Sequence, residues 1–331
     1  MFSEPILSCL KAPGSPDDSE LIQEIDALVD LGSQTRYNNI GTVPNLYEKP
    51  AGDGSKIDSS VHSFYEENPF PSYEGLQEFG DLVTRGHNNP FMQKILESIG
   101  FNKKVLECGC GTGQMSHFLQ LNNNHVLGID ASAKSLSLAI EHKLYNNLER
   151  SNFCRMNIFD LALKDEVFDV VISHGVLHHT HNAKLAFEQI LKKVKPGGLI
   201  IIGLYNKYAR VMTWLRSKMH RFWGDNIDWV VRTRIRDKEK ARIWIADQYY
   251  NPHETWHTID EVMKWFEENN VEYLNCSPPI LDTNAEQGRN FSDKTSPGTH
   301  WQRVITQLGW IGSISREGAL FDIIGRKRLL K

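Results

Sequence analysis

Residues 105–118 read VLECGCGTGQMSHF and place three glycines, Gly109, Gly111 and Gly113, at alternate positions directly after an apolar run. A strand that ends in such a loop and continues into a helix presents backbone N–H groups at the start of that helix. Glycine is needed where a side chain would block the approach of a ligand to these groups. The stretch therefore predicts a ligand-binding turn between a strand and a helix.

The segments that follow alternate between apolar strand patterns and amphipathic helix patterns. Strands are predicted at KVLECG, HVLGID, NFCRMNI, FDVVISH and GGLIIIGLY, and helices at TGQMSHFLQLN, SAKSLSLAIEHKLY and AKLAFEQILKKV. The runs at 170–172 and 199–202 lack period-two alternation, which is typical of strands buried on both faces. The order predicts an α/β fold in which helices cover both faces of a parallel sheet.

Outside this alternation the chain divides into further segments. Near the N-terminus, Leu21, Ile25, Leu28 and Leu31 recur at helical spacing and predict a helix that ends at Gly32. Further along, NNPFMQKILESIG predicts a helix capped by Asn89. We divide the chain into an N-terminal helical or irregular extension (1–60), a ligand-binding core (61–205), a helical insertion (206–257) and a C-terminal helix–strand–helix–strand segment (258–331).

Composition excludes several classes of protein. The formal net charge is −4 at pH 7, so the chain carries no strong nucleic-acid signal. No run approaches the length of a transmembrane segment, and the first thirty residues mix acids among the apolar residues. The five cysteines are an odd number without a CxxC pair. We expect a soluble, cytoplasmic protein with free thiols.

The glycine loop differs from the two common phosphate-binding loops. A dinucleotide loop runs Gly-x-Gly-x-x-Gly, whereas Gln114 stands where its third glycine would be, and Glu107 lies two residues before the first glycine. The Lys-Ser/Thr pair of a P-loop is also absent. Asp130 ends the next predicted strand, where a carboxylate can accept both hydroxyls of a ribose. The pattern favours a nucleoside ligand that is not held through phosphate.

These motifs resemble those of the class I S-adenosyl-L-methionine-dependent methyltransferases over about residues 102–205. The core is most similar to the branch that includes the ubiquinone and menaquinone methyltransferases. The resemblance implies a Rossmann-like seven-stranded sheet with the last strand antiparallel, an N-terminal cap and a helical insertion after strand five. It also implies S-adenosyl-L-methionine as cofactor and S-adenosyl-L-homocysteine as its product.

The resemblance also implies roles for individual residues. The glycine loop would wrap the amino-acid part of the cofactor, Asp130 would hold the ribose, Asn157 and Ile158 would contact the adenine, and the segment from Ser173 would lie beside the methyl group. In FYEENPFPSY (64–73), Tyr65 packs near the cofactor if the segment is a lid, and the alternative is a rigid connector. The cofactor-binding residues expected in this way are Tyr65, Glu107, Gly109, Gly111, Gly113, Gln114, Asp130, Ala131, Asn157, Ile158 and Ser173.

Histidines and aromatic residues supply the candidate catalytic and acceptor groups. In HGVLHHTH, His174 and His178 are candidates for a general base, with His178 favoured over His174 and simple packing as the alternative. A metal site is disfavoured because HExxH is absent. Insertions after the fifth strand commonly build the acceptor pocket in the family that this chain resembles. The acceptor-binding candidates are therefore Tyr205, Tyr249, His253 and Glu254.

The function expected from this resemblance is methyl transfer to oxygen or nitrogen of a small-molecule or lipid-like acceptor. An RNA or protein methyltransferase is the alternative within enzymes, although the NPPY or DPPY tetrapeptide of many nucleic-acid amino methyltransferases is replaced by SHGV. A non-catalytic cofactor-binding partner subunit and a nicotinamide oxidoreductase also remain open. The basic stretch at 205–221 predicts solvated amphipathic helix, with an anionic acceptor or a membrane surface as alternatives.

Overall fold

The computed structural model describes residues 1–49, 54–235, 237–281 and 290–329. Residues 50–53 of the predicted extension, residue 236 of the predicted insertion, and residues 282–289 and 330–331 of the C-terminal segment lie outside the described residues. The strands are β1 (Leu21–Gln23), β2 (Ala27–Asp30), β3 (Arg36–Asn38), β4 (Lys104–Cys108), β5 (His125–Asp130), β6 (Ser151–Arg155), β7 (Phe168–His174), β8 (Val194–Tyr205), β9 (Val271–Ser277) and β10 (Leu320–Lys327). The helices are α1 (Glu4–Leu7), α2 (Ser55–Glu67), α3 (Phe79–His87), α4 (Pro90–Ile99), α5 (Gln114–Leu119), α6 (Ala133–Tyr145), α7 (Ala183–Lys192), α8 (Lys207–Trp223), α9 (Trp229–Arg234), α10 (Lys238–Tyr250), α11 (Ile259–Glu268) and α12 (His300–Ser313).

Seven strands form the main sheet in the order β6-β5-β4-β7-β8-β10-β9. Strands β4 to β8 pair in parallel, and β10 inserts between β8 and β9 and runs antiparallel to both. This confirms the predicted sheet with an antiparallel last strand. The chain order reverses between β4 and β7, which opens a crevice at the carboxyl ends of these strands.

The sheet is buried on both faces. Val105 and Leu106 are adjacent in β4 and point to opposite sides, and each is fully buried in a different hydrophobic cluster. Successive side chains of a strand alternate between faces, so two separate cores require helices on both sides. The predicted α/β layering is confirmed.

The predicted helix from Leu21 to Leu31 is wrong. These residues form β1 and β2, which pair with β3 in a small antiparallel sheet. Ile25 is 98% exposed at the turn between the strands, while Leu28 is buried. The apolar spacing fitted a helix by coincidence, because residues on both faces of β2 are buried and the turn residue is not.

Local sequence signals do set the ends of other helices. The side chain of Asn89 accepts hydrogen bonds from the N–H groups of Phe91 (3.0 Å) and Met92 (3.2 Å), as expected for the N-cap of α4. The insertion after β8 contains α8, α9 and α10. Among the described residues, the structure contains no helix with both the length and the apolar character needed to cross a membrane.

Candidate active site

A cavity of about 690 Å³ lies at the carboxyl edge of the sheet. The ends of β4, β5 and β7 form its floor, α2 and α3 form one wall, and α9 and α10 of the insertion form the other. Its volume lies within the range of about 300–1,000 Å³ that is common for small-molecule sites. The cavity therefore has room for a nucleoside cofactor at the crevice that the topology creates.

The glycine loop lines the floor of this cavity in a left-handed backbone conformation. Gly109 has φ +75° and Gly111 has φ +53°. A Cβ atom at Gly111 would overlap the carbonyl oxygen of Phe70, and one at Gly109 would overlap the side chain of Val176. Glycine is thus required by the close approach of the protein's own segments as well as by the turn itself.

The segment at 70–73 is bound to the glycine loop. The N–H of Thr112 donates to the carbonyl of Phe70 (3.2 Å), the hydroxyl of Tyr73 donates to the carbonyl of Thr112 (2.7 Å), and the amide of Gln114 donates to the carbonyl of Ser72 (2.9 Å). These bonds join residues 70–73 to the floor of the cavity.

Tyr65 lies on α2 and lines the cavity. Its hydroxyl donates to Asp247 of α10 (2.7 Å) and accepts from the amide of Asn251 (3.0 Å). Helix α2 therefore contacts the insertion across the cavity through Tyr65. Both hydrogen bonds hold the phenol ring in place.

Asp130 lines the cavity at the end of β5. One carboxylate oxygen accepts from the N–H of Gly111 (2.9 Å) and the other from the N–H of Ser132 (2.8 Å). Burial raises the pKa of Asp130. Each oxygen retains a lone pair for a further donor. The neighbouring Ala131 also lines the cavity, while its carbonyl accepts from Arg155 (2.7 Å).

Glu107 lies beneath the glycine loop and also lines the cavity. Burial raises its pKa to about 7, and the hydroxyl of Ser116 donates to its carboxylate. The predicted contact residue Gln114 lines the same wall. Two predicted cofactor residues do not: Gly113 packs against Phe153, and the buried hydroxyl of Ser173 donates to the carbonyl of Cys108 (3.1 Å).

Asn157 and Ile158 line the cavity beyond Asp130. The amide of Asn157 donates to the carbonyl of Glu48 (3.2 Å), and its oxygen accepts from the N–H of Phe159 (3.1 Å). Both ends of this side chain are therefore used by the protein, and a second lone pair of the oxygen remains for a ligand.

His174 lines the cavity at the end of β7 and forms a pair with Asp322 of β10. Nδ1 of His174 lies 2.7 Å from a carboxylate oxygen of Asp322, and the ring of Phe91 stacks on the imidazole at 4.4 Å. Burial opposes a charge on the ring, but the carboxylate of Asp322 outweighs it and raises the pKa of His174. The arrangement is a histidine oriented by an acid, as general-base sites require.

Gly203 lies between the two members of the His174–Asp322 pair. It is opposite His174 in the parallel pairing of β7 with β8 and opposite Asp322 in the antiparallel pairing of β8 with β10. A Cβ atom at Gly203 would lie 2.6 Å from the Asp322 carboxylate and 2.8 Å from Nδ1 of His174. The missing side chain allows two residues on non-adjacent strands to meet across β8.

His178, the favoured catalytic candidate, does not reach the cavity. It is fully buried, and its ring packs on Tyr205 at a centroid distance of 3.8 Å. Burial lowers the pKa of His178 well below its usual value. The segment is a short 3-10 turn at 177–179, so the helical face expected from the histidine spacing does not form. His178 therefore packs in the interior of the protein.

Of the predicted acceptor residues, Tyr205 lines the cavity. Glu254 does not, because both of its oxygens accept from the fully buried guanidinium of Arg210 (3.2 and 2.6 Å). Arg210 also donates to Gln248 (2.6 Å) and lies over the ring of Tyr205 at 3.6 Å. Glu254 balances a buried charge that anchors α8.

Tyr249 and His253 also lie outside the cavity wall. The hydroxyl of Tyr249 donates to Asp228 (2.7 Å), and the carbonyl of His253 accepts from the ring of His179 (2.8 Å). The contacts of both residues hold the insertion together. The structure does not bring these two predicted acceptor residues to the cavity, whereas α9 and α10 of the same insertion line it.

The cavity wall also contains residues that no sequence motif indicated. Trp244 of α10 lines the cavity, as do Arg234 and Glu317, which form an ion pair at 2.6 Å. Arg85 of α3 lines it near Gln114, to which it donates at 3.3 Å. Within the described part of the chain, no carboxylate lies within ion-pair distance of Arg85. Motif spacing could not identify these residues because they come from four separate elements.

Comparison of the sequence with known proteins identifies relatives of this chain. A family model described as a methyltransferase domain matches residues 99–270. An uncharacterized protein of Synechococcus is 25% identical over 257 residues, which are 67% of this chain and 60% of that protein. The mitochondrial ubiquinone biosynthesis O-methyltransferase of Dictyostelium discoideum is 32% identical over 114 residues, 31% of this chain and 35% of that protein. The chain thus spans less than two thirds of the length of these relatives.

A similarity of fold extends beyond the matched region. The structure of PKMT2 from Rickettsia typhi, in complex with AdoHcy, has a TM-score of 0.50 and 14% identity, and the match covers 73% of this chain and 53% of that one. The sheet order, the glycine loop and Asp130 are those that the sequence resemblance implied, and the family model matches the region that contains them. The chain belongs to the class I S-adenosylmethionine-dependent methyltransferases.

Proposed function

We propose that this chain transfers the methyl group of S-adenosylmethionine to a hydroxyl or amino group of a small-molecule or lipid-like acceptor. The observation that carries the proposal is the His174–Asp322 pair, whose His174 lines the same cavity as the glycine loop and Asp130. A base beside the methyl position is useful when the acceptor must lose a proton.

The residues of the cavity fit the cofactor. Asp130 offers carboxylate oxygens to the ribose hydroxyls, and Asn157 and Ile158 lie next to it. Arg85 is a cation in the cavity wall whose pKa is lowered by burial, and it matches the carboxylate of the amino-acid part. When bound, S-adenosylmethionine supplies an electrophilic methyl group on a positively charged sulfur and leaves as a neutral thioether.

His174 would take the proton of the acceptor. Nδ1 faces Asp322, so the pair fixes a tautomer in which Nδ1 carries hydrogen and Nε2 is free to accept. Nε2 of His174 would receive the proton that the acceptor oxygen or nitrogen gives up on methylation. The imidazolium that results is stabilised by Asp322, which stays ionised.

The remaining contribution of the chain is positioning and exclusion of water. Tyr65, Phe91 and Trp244 surround the cavity with apolar ring surface, and the contact of Tyr65 with Asp247 joins its two walls. Holding the acceptor in line with the methyl group converts a bimolecular reaction into a unimolecular one. A closed apolar site also strengthens the charge interactions of the His174–Asp322 pair.

The test combines calorimetry with transfer of label. Purified protein is titrated with S-adenosylhomocysteine, and radiolabelled methyl from S-adenosylmethionine is followed into a cell extract that is separated by size and by organic extraction. We expect binding, and label in the small or extractable fraction. His174→Ala should retain binding and lose label, while His178→Ala serves as the control for a neighbouring buried histidine.

Three results would contradict the proposal. Failure of the wild-type protein to bind S-adenosylhomocysteine would remove the cofactor assignment. Label in material that is sensitive to nuclease or protease would replace the small or lipid-like acceptor with RNA or protein. Equal transfer by His174→Ala and wild type would remove the base.

A further inference from the structure

Helices α8 and α12 pack side by side, and both carry exposed apolar side chains. The amide of Asn206, at the start of α8, donates to Gln307 (3.0 Å), and the hydroxyl of Thr213 donates to the carbonyl of Ser315 (3.2 Å). The two bonds join successive positions in the same direction, so the helices run parallel. The bonds pair the first half of α8 with the second half of α12, so the two helices are staggered and overlap along these halves.

The outward sides of these helices carry large apolar side chains. The apolar residues of α8 lie three, four and eleven residues after the first of them, and those of α12 lie four and seven residues after theirs, so each set lies on one side of its helix. The side chains are between 43% and 81% exposed. We call this surface the α8/α12 face, and its apolar residues are Val211, Trp214, Leu215, Phe222, Trp301, Ile305 and Leu308.

The charges on the face have one sign. Residues 207–223 contain lysine and arginine but no aspartate or glutamate, and residues 300–313 also contain no acid. Lys207, Lys218 and Arg221 are exposed among the apolar residues, and the ammonium of Lys218 lies 5.7 Å from the ring of Trp214. The chain as a whole has a net charge of −4, so its acids lie elsewhere.

The face continues to the edge of the cavity. A 3-10 turn at 314–317 follows α12 directly and contacts both α8 and α9. Its last residue, Glu317, lines the cavity and pairs with Arg234 of α9. An acceptor that reached the cavity from the side of the α8/α12 face would meet this ion pair.

We propose that the α8/α12 face binds the surface of an anionic lipid bilayer and presents the cavity to acceptors dissolved in it. Aromatic and aliphatic side chains interspersed with lysine and arginine, without acids, are the pattern of helices that lie in the interface of a membrane. Such cations are attracted to a uniformly negative headgroup layer. The inference deepens the proposed function, since it assigns the lipid-like class of acceptor, and in that part rests on it.

The test measures partition of the whole protein between buffer and sedimented vesicles. Vesicles of phosphatidylcholine with phosphatidylglycerol are compared with vesicles of phosphatidylcholine alone. We expect binding to the first that weakens as salt is raised. Lys218→Glu should weaken partition roughly tenfold, because one attraction becomes a repulsion, and the double substitution Leu215→Ser with Ile305→Ser should abolish it.

Matched controls separate this face from general surface properties. Lys264→Glu reverses an exposed charge on α11, and Phe101→Ser removes a 67% exposed ring before β4. Both should partition as the wild type does. Equal binding to neutral vesicles, absence of binding to either kind, or equal loss in the controls would overturn the proposal.

Two further measurements make the outcome specific. Sedimentation equilibrium without lipid shows whether the face joins two copies of the chain, and a dimer that Lys218→Glu or the double substitution dissociates, without vesicle binding, would overturn the proposal. Calorimetry with S-adenosylhomocysteine should give the same affinity for the face variants and wild type. Because partition needs neither cofactor nor acceptor, failure of the methyltransferase assignment would be seen in calorimetry and failure of the membrane assignment in partition.

Discussion

Replacing Gly203 by alanine would separate the His174–Asp322 pair without removing either titratable group. The new methyl group would lie 2.6 Å from the Asp322 carboxylate and 2.8 Å from Nδ1 of His174, closer than such contacts allow. The backbone of β8 accepts alanine in its extended conformation. The change therefore acts on the pair by volume alone, and one or both side chains must move.

The expected losses follow from the contact. A hydrogen bond to a charged group contributes about 1.5–3 kcal/mol, and inserting a methyl group into a packed strand costs about 1–3 kcal/mol. Loss of an oriented general base lowers rates by about 100-fold or more. Displacing the carboxylate of Asp322 weakens the largest interaction that raises the pKa of His174, so this pKa falls and the acid limb of the pH–rate profile moves to lower pH.

Single-turnover transfer of labelled methyl, measured from pH 5 to pH 9, reports the rate and the profile, and calorimetry with S-adenosylhomocysteine reports cofactor affinity. Gly325→Ala is the matched control, because its Cβ atom would overlap Val271 on the same sheet, away from the cavity. We expect a slow Gly203→Ala enzyme with near-normal affinity. An unchanged profile, or the same loss of rate in Gly325→Ala, would refute the role of the pair.

Three other changes test neighbouring features. Asp322→Asn should also move the acid limb of the rate profile to lower pH and lower the maximal rate about 100-fold; an unshifted limb would disconnect Asp322 from His174. Arg85→Met should weaken S-adenosylhomocysteine about tenfold, or about 1.4 kcal/mol, but leave 5′-methylthioadenosine, which lacks the carboxylate, unaffected; calorimetry that finds equal losses would exclude the charge contact, and Arg85→Lys is the charge-preserving control. Gly111→Ala should destabilise the fold by about 2 kcal/mol, because φ is +53° and the Cβ atom would overlap Phe70; a wild-type melting temperature would contradict that requirement.

The position of His178 shows why a motif alone does not identify a base. His174 and His178 lie in one short motif, and a base was expected there because the segment follows the fourth strand of the core at the carboxyl edge of the sheet, with His178 favoured. The structure places the ring of His178 against Tyr205 in the interior and that of His174 at the cavity. His174 ends β7, whereas His178 lies in the 3-10 turn at 177–179, so the side chain that reaches the cavity depends on the conformation of the chain after the strand.

The N-terminal segment illustrates a different limit. Helical spacing of Leu21, Ile25, Leu28 and Leu31 predicted a helix, but two short strands and a turn bury a different subset of these residues. In a segment of about ten residues the two periodicities overlap, and the tertiary contacts of Leu28 decide between them.

Periodicity and spacing along a continuous stretch were enough to predict the order of strands and helices in the core, the glycine loop, Asp130 and the cap of α4. The contact of His174 with Asp322, 148 residues away, across the missing side chain of Gly203 could be found only in the folded chain. The tertiary structure also brought Arg85 and Trp244 to the cavity and turned His178 away from it. Strand register and helix packing place these side chains, and both are set by the contacts of the whole fold, which no local pattern records.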